Sequence, residues 1–200
     1  MKPAIIVVDM VKDNFKEGSR LPITQEGRAI LPNLQKLLKE GRQRGMPVVF
    51  ANDSFLREDF IFRGRMKSHS IRGTEGAEVV ADLKPESTDV ILPKRRFSAF
   101  FKTDLDRTLR GWGVDTIVVT GLTIEFCVLT TVMDGLCHDF SAIILEDCTV
   151  SHTKERHQAC LGLYRETGLY PLLRVMTLSD FLKQISSSDL VQYVDAHEKM

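Results

Sequence analysis

The sequence has no excess of charge of either sign and no long hydrophobic run. Its 200 residues include 27 basic and 27 acidic side chains, so the formal net charge at pH 7 is zero. A nucleic-acid or membrane-surface partner that binds through electrostatics needs a basic excess, so neither is predicted. The first apolar run, Ala4 to Val8, is too short for a secretory signal, and no stretch approaches the ~18 apolar residues of a membrane span. We therefore predict a cytoplasmic protein.

Cysteine is also scarce, which excludes the common cysteine frameworks. The four cysteines show neither a C-x-x-C motif nor a paired metal-ligand spacing, so a disulfide framework or a cysteine-based zinc site is not predicted. The length and the hydrophobic content of 43% predict one globular domain over residues 1–200. The cysteines are Cys127, Cys137, Cys148 and Cys160.

Short, continuous apolar runs alternate with segments of helical periodicity. Runs that are apolar on both faces are typical of strands buried in a parallel sheet. The pattern predicts an α/β fold: a single-domain, Rossmann-like open sheet of about six mostly parallel strands with helices on both faces. The predicted strands are 4–8, 47–51, 90–92, 116–120, 142–145 and 172–176, and the clearest helical patterns run from Ile30 to Leu38, before Gly41 and Gly45, and from Leu105 to Leu109, before Gly111 and Gly113.

Two segments depart from this alternation. Residues 53–76 are too polar and irregular for a regular element and too long for an idle connection, so we predict a functional loop there. The sequence from Leu178 onward predicts a last helix, followed by a C-terminal tail at about residues 186–200.

Cys127 follows a β-branched run that breaks at Gly121 and precedes a helical pattern. A residue at a helix start lies near free backbone N–H groups and the positive end of the helix dipole. These groups favour a thiolate and can receive the oxyanion of an acyl substrate, so a lowered thiol pKa and a nucleophilic role are predicted. The alternative is that Cys127 is a small buried core residue.

Asp9 and Lys94 follow two other predicted strands. Ligands of open α/β sheets bind at the carboxyl ends of the strands, so Asp9, Lys94 and Cys127 are expected to face one crevice. There they can act as base, cation and nucleophile. Asp9 and Lys94 also have alternative explanations without a catalytic role: Asp9 can cap a loop, and Lys94 can be a solvated cation like the arginines that follow it.

Three motifs in this order carry a family resemblance: IIVVDM at the N-terminus, then K-x-x-F-S-A-F, then V-V-T-G-L-x-x-x-x-C-V. Over roughly residues 3 to 180 the chain resembles the isochorismatase-like cysteine hydrolases, which include nicotinamidases and N-carbamoylsarcosine amidohydrolases. The resemblance implies a catalytic triad of Asp9, Lys94 and Cys127 on a Rossmann-like fold. It also implies a cis peptide bond between Leu122 and Thr123, an oxyanion hole formed by the N–H groups of Thr123 and Cys127, and assembly as a homodimer or homotetramer.

The chain departs from the nicotinamidase pattern at the metal site. Nicotinamidases resemble one another in a D-x-H…H group, and the matching residues here are Asp53, Phe55 and His69. Because Phe55 offers no ligand atom, we predict no tightly bound zinc and no cofactor, and nicotinamidase activity is disfavoured; weak metal binding by Asp53 and His69 stays open. His69 can instead be a loop hydrogen-bonder. Phe15, one position beyond the family's usual phenylalanine, joins Phe55 and His69 as a candidate substrate-binding residue.

The loop 53–76 also bears on the substrate. Its phenylalanines interleave with basic residues, and arginines near an acyl-transfer site often receive a substrate carboxylate. A small and possibly anionic amide, carbamoyl or ureido compound is therefore the expected substrate; a solvated basic loop or a subunit contact explains the pattern equally well. The basic residues are Arg57, Arg63, Arg65, Lys67 and Arg72.

The predicted function is a cysteine-dependent hydrolase that cleaves a C–N bond through a thioester. One alternative is an isochorismatase-type vinyl-ether hydrolase, which needs no cysteine nucleophile. Another is a non-catalytic binding protein that retains the fold. A thiol redox protein is a third, weakened because Cys137 lies nearly three helical turns from Cys127.

Overall fold

The computed structural model describes residues 1–187, so residues 188–200 of the predicted tail lie outside the described residues. Six parallel strands form one open sheet, as predicted. They are β1 (Pro3–Val8), β2 (Val48–Asp53), β3 (Val90–Lys94), β4 (Thr116–Leu122), β5 (Ser141–Val150) and β6 (Leu173–Met176). Their order across the sheet is β3-β2-β1-β4-β5-β6, with β3 and β6 at the edges.

Helices cover both faces of the sheet. They are α1 (Pro22–Gln43), α2 (Leu105–Gly111), α3 (Leu129–Cys137), α4 (Lys154–Arg165) and α5 (Leu178–Ser187). Alternate residues of β1 enter two different cores: Ile5 and Val7 pack with α1 and α5, whereas Ile6 and Val8 pack on the face of α2, α3 and α4. This two-sided burial explains why the strands are continuous apolar runs. Among residues 1–187 no helix has the length and hydrophobicity to cross a membrane.

Two elements are longer than their sequence patterns indicate. Helix α1 begins at Pro22 and continues through Gly41, which was expected to follow its end. Gly41 is needed inside the helix because a Cβ there would lie 2.3 Å from Cδ1 of Ile5. Strand β5 extends past the predicted run to Val150, because a register shift after Val119 lets its far end pair with Gly121 and Leu122.

The sheet brings the carboxyl ends of β1 and β4 together at its centre. The strand order reverses between these neighbours, and such a switch point is where open α/β sheets bind ligands. At Gly121 the chain has a φ of 100°, and a Cβ would lie 2.1 Å from the carbonyl oxygen of Val8. Only glycine permits this approach, which places the residues after β4 beside those after β1.

A Gly121→Ala substitution tests this constraint. We expect it to lower the free energy of unfolding by at least about 3 kcal/mol, because the added methyl group meets backbone in a left-handed conformation. Gly162→Ala is the matched control, since Gly162 is an exposed residue of α4 with no atom within 4 Å of the added Cβ. This control should be neutral or stabilise by up to about 1 kcal/mol. Urea unfolding measures both, and equal stability of the two variants would contradict the constraint.

Candidate active site

Asp9 lies directly after β1 and is buried, with 2% of its surface exposed. Its backbone is left-handed, with a φ of 53°, a conformation that aspartate tolerates better than most residues. One carboxylate oxygen accepts the N–H of Asp53 at 2.7 Å, and the other accepts Nζ of Lys94 at 2.9 Å. These bonds fix the carboxylate at the switch point of the sheet.

Lys94 is fully buried at the end of β3 and is held by three acceptors. Its Nζ donates to Asp9 Oδ2 at 2.9 Å, to Asp53 Oδ1 at 2.5 Å and to the carbonyl oxygen of Arg96 at 3.3 Å. Burial by itself lowers the pKa of a lysine, but the neighbouring negative charges, that of Asp9 first, outweigh it and raise the pKa of Lys94. The lysine is therefore a permanent buried cation.

Asp53 at the end of β2 is the second carboxylate of this group. Burial, and then the neighbouring charge of Asp9, raise the pKa of Asp53 to about 7, although Lys94 opposes the shift. The sequence suggested Asp53 only as a metal ligand. Its position after a strand, like that of Asp9, is the signal that could have marked it as a partner of Lys94.

Cys127 reaches the same group from a wide turn between β4 and α3. The Leu122–Thr123 peptide bond is cis, and residues Ile124–Val128 form one π-helical turn. The N–H groups of Phe126 and Val128 both donate to the carbonyl oxygen of Thr123, at 3.2 Å each. Cys127 Sγ and carboxylate oxygens of Asp9 and Asp53 all lie within 4.8 Å of one another.

The lowered thiol pKa expected for Cys127 is wrong. Burial, and then the carboxylate of Asp9, raise the pKa of the Cys127 thiol well above its ordinary value. Lys94 pulls in the opposite direction but is already shared between two carboxylates. Burial and the carboxylate charges therefore outweigh the lysine, and the resting thiol keeps its proton.

Asp9, Asp53 and Cys127 line the floor of a cavity of about 680 Å³, within the usual size range of small-molecule sites. Asn14 belongs to the wall and donates to the carbonyl oxygen of Asp9 at 2.9 Å. His152 also lies at the wall, beside Glu125. The sequence did not predict that Asn14 or His152 would line the site. The apolar part of the wall includes Phe55, Ile61, Phe97, Leu122 and Phe126.

The three predicted substrate-binding residues have different positions. Phe55 and His69 line the cavity and meet edge to face, with ring centroids 5.4 Å apart. Phe15 is not in the lining of the cavity; its ring packs in the core, where a Cβ on Gly27 of α1 would lie 3.0 Å from it. The neighbouring Asn14 takes the position at the wall instead.

The residues at the expected metal site do not fit a zinc ion. Phe55 has no ligand atom, and Oδ1 of Asp53 is already bound by Lys94. Nε2 of His69 lies 3.9 Å from Oδ2 of Asp53, while its Nδ1 faces the carbonyl oxygen of Lys67 at 2.9 Å. Catalytic zinc takes three protein ligands, whereas the three positions of the D-x-H…H group, all within the described residues, supply one imidazole and one carboxyl group that Lys94 already binds.

The basic residues of the loop 53–76 are spread over the surface. Only Lys67 lines the active-site cavity. Arg72 donates Nε to Ser54 Oγ at 3.1 Å and lines a different cavity. The cavity wall also carries Asp13 and Glu17, so it has no overall positive charge.

The sequence and the fold are similar to those of known proteins of one family. The family model described as the isochorismatase domain matches residues 3–176. A protein of Arabidopsis thaliana named a probable inactive nicotinamidase is 34% identical over 166 residues, which are 78% of this chain and 84% of that protein. The ureidoacrylate amidohydrolase RutB of Pantoea ananatis is 28% identical over 191 residues, 84% of this chain and 74% of that protein. The crystal structure of N-carbamoylsarcosine amidase from Thermoplasma acidophilum aligns with a TM-score of 0.75 at 32% identity and covers 89% of this chain and 97% of that one.

The raised pKa of Asp53 predicts a pH dependence of stability. Between the ordinary value of 3.8 and about 7, the folded protein holds a proton that the unfolded chain has released. The contribution of this group to the free energy of unfolding is therefore complete below pH 3.8 and is lost as the pH rises through about 7. In Asp53→Asn, which cannot titrate, urea unfolding at several pH values across this window should show a smaller fall than in the parent. Equal slopes for the two proteins would show that Asp53 titrates normally.

Proposed function

This chain belongs to the isochorismatase family, and from that premise we propose that it is a cysteine-dependent amidohydrolase that works through a thioester on Cys127. At the coarser level it is an isochorismatase-family hydrolase of amide C–N bonds, as are relatives named for amidohydrolase and amidase activities. The observation that carries the cysteine mechanism is the position of Asp9: its carboxylate binds the buried Lys94 at 2.9 Å and has an oxygen within 4.8 Å of Cys127 Sγ, which lines the cavity with it.

The first half of the proposed reaction forms the thioester. The Cys127 thiol gives its proton to Asp9 as the sulfur bonds to the substrate carbonyl carbon, whose oxygen becomes an oxyanion. Asp9 then passes this proton to the amide nitrogen, the C–N bond breaks, and ammonia or an amine leaves. The backbone N–H groups of Thr123 and Cys127 are the proposed donors to the oxyanion, and such a donor stabilises the transition state by about 3–4 kcal/mol.

The second half hydrolyses the thioester. Water gives a proton to Asp9 and its oxygen bonds to the acyl carbon, after which the C–S bond breaks and the proton returns to the sulfur. Lys94 stays protonated throughout and holds the Asp9 carboxylate in place. The raised thiol pKa supports this scheme, because a thiol that is protonated at rest needs an adjacent base when it attacks.

The cavity favours a small substrate with a flat or apolar body. Phe97 and Phe126 form a tilted pair with centroids 5.6 Å apart, and Phe55 closes another part of the wall. We propose a small amide, carbamoyl or ureido compound. Because Lys67 is the single residue of the basic loop set in this wall, the proposal does not require an anionic substrate.

Two alternatives make different demands on Cys127. A vinyl-ether hydrolase uses the aspartate as an acid and needs no thiol beside it, so the position of Cys127 within 4.8 Å of the carboxylate oxygens favours amide cleavage. A non-catalytic protein is suggested by the name of the Arabidopsis relative, a probable inactive nicotinamidase. In this chain, however, Asp9, Lys94 and Cys127 are all present and close together.

Replacing Cys127 by alanine tests the nucleophile. Ammonia release from a panel of small amides, carbamoyl and ureido compounds should identify a substrate for the parent. The variant should lose about 10⁴-fold or more in kcat, because removing a nucleophile removes the covalent route. Its unfolding free energy should fall by no more than about 2 kcal/mol.

Cys137→Ala is the matched control, because Cys137 is exposed and lies outside the cavity lining. It should keep the parent's kcat and KM. Turnover of the same substrate by Cys127→Ala at the parent's rate would refute the thioester mechanism. The reaction would then have to proceed without a cysteine nucleophile.

An Asp9→Asn variant separates the electrostatic effect of Asp9 from its role as base. Removing the carboxylate charge should move the alkylation of Cys127 by iodoacetamide to lower pH, since Asp9 raises the thiol pKa. Turnover should nevertheless be lost, because the amide at position 9 cannot accept the thiol proton or pass it to the leaving nitrogen. Peptide mass spectrometry across a pH series measures the alkylation of Cys127, and the exposed Cys137 is the internal control. An unchanged alkylation profile at Cys127 would show that Asp9 does not act on the thiol.

A further inference from the structure

A second cavity, of about 270 Å³, lies beside the edge strand β3 and shares no lining residue with the active-site cavity. Successive residues of a strand point to opposite sides, so Lys94 faces the active site while Pro93 and Arg95 face this second cavity. We call it the cationic cleft. Its wall includes Arg72, Pro93, Arg95, Arg96, Phe101 and Lys102.

The cationic cleft concentrates positive charge in a protein whose formal net charge is zero. Within residues 1–187, Asp59 is the one carboxylate that pairs with any of its four cationic side chains, and it pairs with Arg95 and Arg96. Asp59 is buried, accepts Arg95 through both oxygens, and lies 3.5 Å from Nη1 of Arg96. The hydrogen bond from Arg95 lowers the pKa of Asp59 to about 2, so the carboxylate stays ionised. Four cations share one negative charge, which leaves three positive charges in excess.

Two of the cations keep donors for a ligand. Arg72 uses Nε for Ser54 Oγ at 3.1 Å, and this bond orients the guanidinium while its two Nη groups have no carboxylate partner in the described part of the chain. Lys102 lies over the ring of Phe101, with Nζ 5.5 Å from the centroid. Its backbone is left-handed, with a φ of 54°, a conformation that is unfavourable for residues with side chains.

We propose that the cationic cleft binds a small organic anion through a phosphate or carboxylate group. Guanidinium groups bind planar or tetrahedral oxyanions in a fork, and an ammonium group adds a point charge, so Arg72 and Lys102 suit either group. Phe101, half-exposed at 49%, and Pro93 provide apolar surface for the body of the ligand. The site is separate from the active-site cavity, so substrate and anion can bind together.

Isothermal titration with inorganic phosphate and with malonate tests the proposal, at an ionic strength held constant with sodium chloride. The variants Arg72→Gln and Lys102→Gln each remove one positive charge of the cleft, and neither breaks the Arg95–Asp59 pair. We expect saturable binding of at least one of the two anions to the parent, and a Kd about tenfold weaker in each variant, which is the usual effect of one charge-assisted hydrogen bond. The anion that binds identifies the recognised group.

Two controls remove one positive charge elsewhere. Lys67→Gln changes the wall of the active-site cavity, and Arg107→Gln changes an exposed residue of α2. Both should bind the anion within twofold of the parent. Equal weakening in all four variants would show that net charge alone attracts the anion, and weakening confined to Lys67→Gln would place the anion in the active site. Either result, or no saturable binding of either anion to the parent, would overturn the proposal.

Discussion

The buried ion group of Lys94 with Asp9 and Asp53 is the interaction on which the site depends. A fully buried ammonium group is costly unless its charge and all of its protons are matched, and here two carboxylates and one carbonyl oxygen match them. The three side chains come from the ends of β1, β2 and β3, so the ion group forms only when these strands are in register. The geometry of the site and the order of the sheet therefore depend on each other.

The ion group also sets the behaviour of Cys127. A thiol near a free cation gains acidity, but here burial and then the charge of Asp9 raise the pKa of the thiol, and Lys94, which is shared between two carboxylates, does not offset them. In the proposed mechanism the cysteine therefore remains protonated until a substrate arrives, and its reactivity depends on transfer of the proton to Asp9. In such a site the thiolate nucleophile forms only during the reaction. A resting thiolate, which oxidants could attack, therefore does not accumulate.

The same strand β3 serves two surfaces. Lys94 points into the active site, whereas Pro93 and Arg95 on either side of it face the cationic cleft. The consecutive residues Asp53 and Ser54 also contact different sites: Asp53 binds Lys94 of the ion group, whereas Ser54 accepts a hydrogen bond from Arg72 of the cationic cleft. Strand alternation thus separates a buried ion group from an exposed cationic cavity across one edge of the sheet.

The sequence by itself determined the sheet, because apolar runs and helical periodicity are local properties that burial on two faces imposes on each element. It also placed Asp9, Lys94 and Cys127 at strand ends, where an open sheet gathers its functional side chains. The tertiary structure alone decided that Asp53 pairs with Lys94, that Asn14 rather than Phe15 reaches the cavity, and that the pKa of Cys127 rises. These properties depend on which groups from distant elements are buried together, and a local sequence pattern does not indicate which distant groups will meet.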